Sequence, residues 1–127
     1  MNEKKKILIV DDMKFVRNDL RKIIEQTDFA EVVGEAEDGY DAIQKYKNLK
    51  PDLVTMDLIM PRMNGVEAIE KIMNYDNDAL IIVISMVGND KYIMDATQKG
   101  ARDYIRKPFD QERIIEVLKH FLIETTD

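Results

Sequence analysis

Cysteine is absent from the 127-residue chain, and its only histidine is His120. Without cysteine, disulfide bonds, cysteine-ligated zinc and thiol chemistry are excluded. Positive charge is also scarce, because 19 Lys and Arg residues stand against 25 Asp and Glu residues, giving a net charge of −6. Contacts to nucleic-acid phosphates require a basic surface, so the composition disfavours nucleic-acid binding.

Long apolar runs are lacking as well. Lysines precede the apolar residues 7–10, as in a signal peptide, but this run is too short for one and ends in two aspartates. No segment approaches the length of a transmembrane helix. Neither a Gly-x-Gly-x-x-Gly motif nor a P-loop occurs, which disfavours nucleotide binding. We therefore expect a cytoplasmic protein without membrane insertion.

The chain alternates between two kinds of segment. Short, β-branched apolar runs predict strands at residues 6–10, 30–36, 52–56, 79–85 and 102–106. Apolar residues at helical spacing predict helices at 13–26, 39–48, 65–75, 90–99 and 111–123. This alternation predicts an α/β fold, a doubly wound five-stranded parallel sheet with five helices. In such sheets ligands bind beyond the carboxyl ends of the strands.

Polar residues end or directly follow four of the predicted strands: Asp11 and Asp12, Asp57, Ser85, and Lys107. Each has an ordinary explanation when taken singly; Asp12, for example, is a candidate cap of the first helix. If the first and third strands are neighbours, however, three carboxylates share one cleft and repel unless a cation neutralises them. Oxygen ligands of this kind suit Mg²⁺. An aspartate beside such an ion has the chemistry of a phosphoryl acceptor.

Four motifs, in their order and separation, resemble the receiver domains of two-component response regulators. They are "ILIVDD" (7–12), "DLVTMDLIMPRMNGVEAI" (52–69), "IIVIS" (81–85) and "GARDYIRKPF" (100–109). Within that family the chain looks most like the stand-alone chemotaxis regulators of the CheY type. The resemblance implies a flavodoxin-like sheet with strand order 2-1-3-4-5, which places the first and third strands side by side.

The resemblance also implies a role for each site residue. Asp57 is expected to be the phosphoacceptor. Mg²⁺ is expected to bind Asp11, Asp12, Asp57 and the backbone carbonyl of Ile59. Lys107 is expected to pair with Asp57 and later with the phosphoryl oxygens.

The same resemblance implies a switch. Ser85 is expected to move toward the phosphoryl group, and Tyr104 to turn inward when Ser85 moves. The peptide bond before Pro108 is expected to be cis. The expected output face lies on the fourth helix, fifth strand and fifth helix, and its named residues are Lys91, Tyr92, Lys99 and Tyr104.

Three residues near the expected acceptor depart from the family pattern: Ile59, Met86 and Val87. Ile59 and Val87 replace residues beside the route of an attacking water and cannot orient it. We hypothesise slow autodephosphorylation for this reason. Met86 stands where the family has a small residue, and we expect its flexible side chain to bend aside.

These observations predict a phosphorylation-activated response regulator rather than an enzyme, formed by a single receiver domain over residues 1–127. The expected partners are a CheA-like histidine kinase and a flagellar or archaellar motor switch or adaptor protein, with a phosphatase as an additional candidate, and a monomer is expected. A single-domain phosphorelay intermediate is an alternative with identical receiver chemistry. A second alternative is a Mg²⁺-dependent phosphatase of the haloacid-dehalogenase type, although that family carries Asp-x-Asp after its first strand.

Overall fold

The computed structural model describes residues 3–86 and 90–124. The strands are β1 (Lys5–Val10), β2 (Ala30–Ala36), β3 (Leu53–Met56), β4 (Ile81–Ser85) and β5 (Asp103–Arg106). The helices are α1 (Lys14–Gln26), α2 (Gly39–Leu49), α3 (Gly65–Tyr75), α4 (Asp90–Lys99) and α5 (Gln111–Leu122). All ten predicted elements are present, and their bounds differ from the prediction by at most two residues.

The five strands form one parallel sheet in the order β2-β1-β3-β4-β5. The predicted fold class and strand order are therefore confirmed. Successive residues of a strand face opposite sides of the sheet, and both sides are covered. Ile7 and Ile9 pack on one side in a cluster with residues of α1 and α5, while Leu8 and Val10 pack on the other with residues of α2, α3 and α4. Each of these side chains is at most 2% exposed, and burial stabilises the fold by about 2 kcal/mol per side chain.

The helix ends explain how the connections are fixed. Asn64 accepts a hydrogen bond from the amide of Glu67 at 3.0 Å and so caps the start of α3. Asp110 is the N-cap residue of α5, but its side chain makes no capping hydrogen bond. Gly100 follows α4 with a φ of 128°, a conformation that glycine adopts without strain.

The register of the central strands brings the ends of β1 and β3 together. Val10 pairs with Met56, and the amide of Asp57 donates to the Val10 carbonyl at 3.0 Å. The residues that follow these two strands are therefore neighbours at one edge of the sheet. Over residues 3–86 and 90–124, no helix is long and apolar enough to cross a membrane.

Candidate phosphoryl-acceptor and cation site

Three carboxylates meet at the carboxyl edge of the sheet. Asp11, Asp12 and Asp57 each offer an oxygen, and these atoms lie within 4.8 Å of one another. Asp11 and Asp57 are 1% and 6% exposed, whereas Asp12 is exposed to solvent. Two buried carboxylates and a third at the surface make a set of oxygen donors that fits a divalent cation such as Mg²⁺.

The two adjacent aspartates in the connection between β1 and α1 make different contacts. Met13 is the N-cap residue of α1, and its amide donates to Asp11 Oδ1 at 2.9 Å. The local backbone bond is therefore made by the buried Asp11. Helix capping, the ordinary explanation considered for Asp12, does not account for that residue.

Lys107 supplies a cation between the two buried carboxylates. Its Nζ lies 2.6 Å from Asp11 Oδ2 and 3.5 Å from Asp57 Oδ2, and its side chain is 10% exposed. The end of β5 positions it, because its amide donates to the Ser85 carbonyl at 3.0 Å. The Lys107–Pro108 peptide bond is cis. Lys107 thus contacts Asp57 but makes its shorter ion pair with Asp11.

Asp57 Oδ1 is held by donors on its other side. The fully buried Ser85 donates its hydroxyl to Asp57 Oδ1 at 2.8 Å, and the amide of Ile59 lies 3.4 Å from the same oxygen. Burial raises the pKa of Asp57; the Ser85 hydrogen bond opposes this rise, the charge of Asp11 adds to it, and Lys107 opposes it. Burial thus outweighs the stabilising contacts of the ionised Asp57, and a divalent cation bound beside it would favour the ionised form.

An apolar rim surrounds the opening. A cavity of about 390 Å³ is lined by Asp12, Met13, Asp57, Ile59, Ser85, Met86 and Lys107. Within that rim, Ile59 is 54% exposed and Met86 is 73% exposed. Met86 therefore projects largely into solvent. Val87 lies outside the residues that the structure describes.

The expected output residues, which include the switch residue Tyr104, lie on α4 and β5. Tyr104 is half-buried against the apolar cluster on the α2, α3 and α4 side of the sheet. Lys91 and Tyr92 are exposed on the first turn of α4. Lys99 is also exposed, and its Nζ contacts Glu70 of α3 at 3.2 Å. Their roles in output stay predictions.

One contributor to the site was missed from the sequence. Arg17 of α1 is not among the site residues expected from the sequence, and it is only 8% exposed. Its guanidinium donates to the Asp11 carbonyl at 2.8 Å and to Glu35 at 2.8 Å. Arg17 lies three and seven residues before Leu20 and Ile24, so its helical spacing did indicate the buried face.

The family model described as "Response regulator receiver domain" matches residues 7–119. The chain is 49% identical to the chemotaxis protein CheY of Thermotoga maritima over 90% of this chain and 94% of the relative. It is 46% identical to CheY of Listeria monocytogenes over 90% of this chain and 95% of the relative.

Solved structures agree with these sequence matches. One is a chain of the CheX–CheY–BeF3–Mg²⁺ complex of Borrelia burgdorferi. It has 35% identity and a TM-score of 0.87, with 93% of this chain and 90% of that chain covered. The response regulator domain of Thermotoga maritima CheB matches with 34% identity and a TM-score of 0.84, covering 94% of both chains. By sequence and by fold, the chain belongs to the response regulator receiver domain family of two-component systems and is similar to CheY.

Proposed function

We propose that this protein is a phosphorylation-activated response regulator that accepts a phosphoryl group on Asp57 from a histidine kinase. The observation that carries the proposal is the surroundings of Asp57. This buried carboxylate directly follows β3 and shares a cleft with Asp11 and Asp12, and its two oxygens contact Ser85 and Lys107.

The chemistry requires an ionised Asp57 and an incoming phosphoryl group. A carboxylate oxygen of Asp57 forms a bond to phosphorus, while the bond from phosphorus to the donor imidazole nitrogen breaks and that nitrogen takes a proton. Positioning and charge neutralisation dominate this kind of transfer. Asp11, Asp12 and the Ile59 carbonyl are the groups that would hold Mg²⁺ beside Asp57, and the ion supplies positive charge to the transferring oxygens.

The phosphoryl group would then alter the contacts of Ser85 and Lys107. It brings roughly two negative charges and strong acceptor oxygens to a place where Ser85 now donates to Asp57. The Ser85 hydroxyl and the Lys107 ammonium follow these acceptors. Movement of Ser85 leaves space that the half-buried Tyr104 can enter, so the face formed by α4, β5 and α5 changes shape. This is a shift between two packings of one fold.

The comparisons support chemotaxis as the setting. Relatives similar over most of this chain are chemotaxis CheY proteins, and one matched structure holds CheY with CheX, BeF3 and Mg²⁺. We infer a CheA-like kinase and a flagellar or archaellar motor switch or adaptor as partners, with a phosphatase as a further partner. We also infer a cytoplasmic monomer of one receiver domain with Mg²⁺ as its cofactor.

Incubation with acetyl phosphate and Mg²⁺, followed by intact-mass measurement, tests the proposal. Wild type should gain one phosphoryl group, and Asp57→Asn should gain none. Omission of Mg²⁺ should greatly slow the gain. Equal modification of both proteins would reject Asp57 as the acceptor, and no modification of wild type would reject the phosphorylation switch.

A further inference from the structure

The loop between β3 and α3 contains a residue in the left-handed region. Arg62 has a φ of 66°, and the amide of Met63 donates to the Pro61 carbonyl at 2.8 Å. The result is a three-residue turn centred on Arg62. Turns of this kind with positive φ are rare and strained for a residue with a side chain, and they persist only when their surroundings hold them.

Asp38 is the group that holds this turn. Arg62 Nε lies 2.7 Å from Asp38 Oδ2, and a second guanidinium nitrogen contacts the same oxygen. The other oxygen, Oδ1, accepts the Asp41 amide at 2.9 Å and caps α2. Asp38 is 5% exposed, and the Asp41 amide, followed by the Arg62 guanidinium, lowers its pKa despite burial. One rigid, ionised carboxylate therefore joins the start of α2 to the loop.

Two backbone hydrogen bonds fix the remainder of the loop. The amide of Gly39, next to Asp38, donates to the Met63 carbonyl at 3.1 Å. The amide of Gly65 donates to the Leu58 carbonyl at 2.9 Å, closing the loop on itself. Ile59 lies between these anchors and three residues before Arg62. Its carbonyl therefore belongs to the stretch of backbone that these hydrogen bonds and the turn enclose.

We propose that Asp38 and Arg62 form a positioning pair that holds the loop so that the Ile59 carbonyl faces a divalent cation bound by Asp11, Asp12 and Asp57. This inference rests on the function proposed above. The pair touches neither the cation nor the phosphoryl group, and it acts through the backbone of residues 59–63. Some residues contact a metal ligand without contacting the metal, and removing such a residue typically lowers metal affinity about tenfold or more.

Arg62→Gly separates positioning from stability. Glycine adopts a φ of 66° without strain, so the substitution removes the strain together with the ion pair. We expect the melting temperature without Mg²⁺ to stay unchanged or rise. We expect the dissociation constant for Mg²⁺, measured by calorimetric titration, to rise about tenfold. Phosphorylation by acetyl phosphate should be slow at low Mg²⁺ and should recover at saturating Mg²⁺.

Asp38→Asn breaks the pair from the other side. The asparagine oxygen can still accept the Asp41 amide and cap α2, but its neutral amide cannot replace the charge that faces Arg62. Its Mg²⁺ affinity should fall as in Arg62→Gly. Arg113→Ala is the control, because it breaks an exposed ion pair with Glu116, 3.2 Å long, on α5, which packs on the opposite side of the sheet from α2 and α3. It should bind Mg²⁺ like wild type.

The outcomes separate the two claims. Weaker Mg²⁺ binding by both variants, without a parallel loss of stability, supports the positioning pair. Wild-type Mg²⁺ affinity in both variants overturns it, and so does a loss of affinity that only follows a loss of stability. If wild type binds Mg²⁺ but takes no phosphoryl group, the proposed function fails, whereas the Mg²⁺ titrations still decide the role of the pair.

Discussion

Asp57→Asn should stabilise the unphosphorylated protein at neutral pH in the absence of Mg²⁺. The substitution removes a buried charge but keeps an oxygen that can accept the hydrogen bond from Ser85. Because burial raises the pKa of Asp57 in the folded state, ionisation of this group opposes folding at neutral pH. Removing the ionisable group removes that cost.

The magnitude follows from opposing terms. An Asp57 oxygen and an Asp11 oxygen lie within 4.8 Å of each other, so their repulsion costs at least about 3 kcal/mol in an effective dielectric of about 20. Attraction between Asp57 and Lys107 at 3.5 Å is worth about 5 kcal/mol on the same scale, and Lys107 is shared with Asp11. Asp57 is 6% exposed, and the desolvation of such a carboxylate costs several kcal/mol. This cost exceeds the amount by which the attraction to Lys107 outweighs the repulsion from Asp11. We expect Asp57→Asn to raise the free energy of unfolding by an amount on the order of 1 to 2 kcal/mol. Each kcal/mol corresponds to a rise of about 4 °C in melting temperature for a domain of this size.

Denaturant unfolding of both proteins as a function of pH is the assay. The gain should be present at pH 7 and shrink as the pH falls. It should disappear below about pH 4, where the carboxyl is protonated in the unfolded chain as well. Saturating Mg²⁺ should stabilise wild type more than the variant, so the difference in their free energies of unfolding should become smaller. Asp28→Asn, which removes an exposed carboxylate, is the control. It should change neither the dependence of stability on pH nor the stabilisation by Mg²⁺.

A variant no more stable than wild type at pH 7, or a gain that increases toward acid pH, would refute this reasoning. Either result would mean that Lys107 and Ser85 compensate the charge of Asp57 fully. The site would then not require a divalent cation to balance it.

Three further variants test other contacts of the site. Gly65→Ala should lower the free energy of unfolding by about 3 kcal/mol in urea titrations, because a Cβ would lie 2.1 Å from the Asp57 carbonyl oxygen; a change near zero would contradict this close approach. Lys107→Met should destabilise the protein by about 3 kcal/mol at pH 7, because it leaves the buried Asp11 unpaired, and Mg²⁺ should recover part of the loss; a variant as stable as wild type would be evidence against the ion pair. Ile59→Asn should shorten the lifetime of the phosphorylated protein severalfold, because an amide side chain can orient the attacking water. Intact-mass measurements over time report that lifetime. Loss of the phosphoryl group from wild type within seconds would disprove slow autodephosphorylation.

The sequence predicted the fold because local patterns and global topology agree. Strands such as residues 7–10 are uniformly apolar, as strands covered on both faces must be. The residues that follow the strands then identified the acid cluster without knowledge of side-chain geometry. The strand order came from the family resemblance, and it is this order that places Asp57 beside Asp11.

The contacts that the sequence did not reveal depend on details that periodicity does not encode. The preference of Lys107 for Asp11 over Asp57 depends on a difference of 0.9 Å between two ion-pair distances, 2.6 and 3.5 Å. The pairing of Asp38 with Arg62 joins residues 24 apart in sequence through a turn of positive φ, and an arginine gives no sequence signal for such a turn. Both contacts are set by loop geometry at the edge of the sheet.

Direct localisation of the phosphoryl group tests the central claim most sharply. Borohydride reduces an aspartyl phosphate to homoserine with release of phosphate, so peptide mass mapping after treatment with acetyl phosphate, Mg²⁺ and borohydride reports the modified residue. We expect homoserine at position 57, and unmodified aspartate at positions 11 and 12. Homoserine at either of those two positions, or at none of the three, would contradict the assignment of Asp57 as the phosphoacceptor.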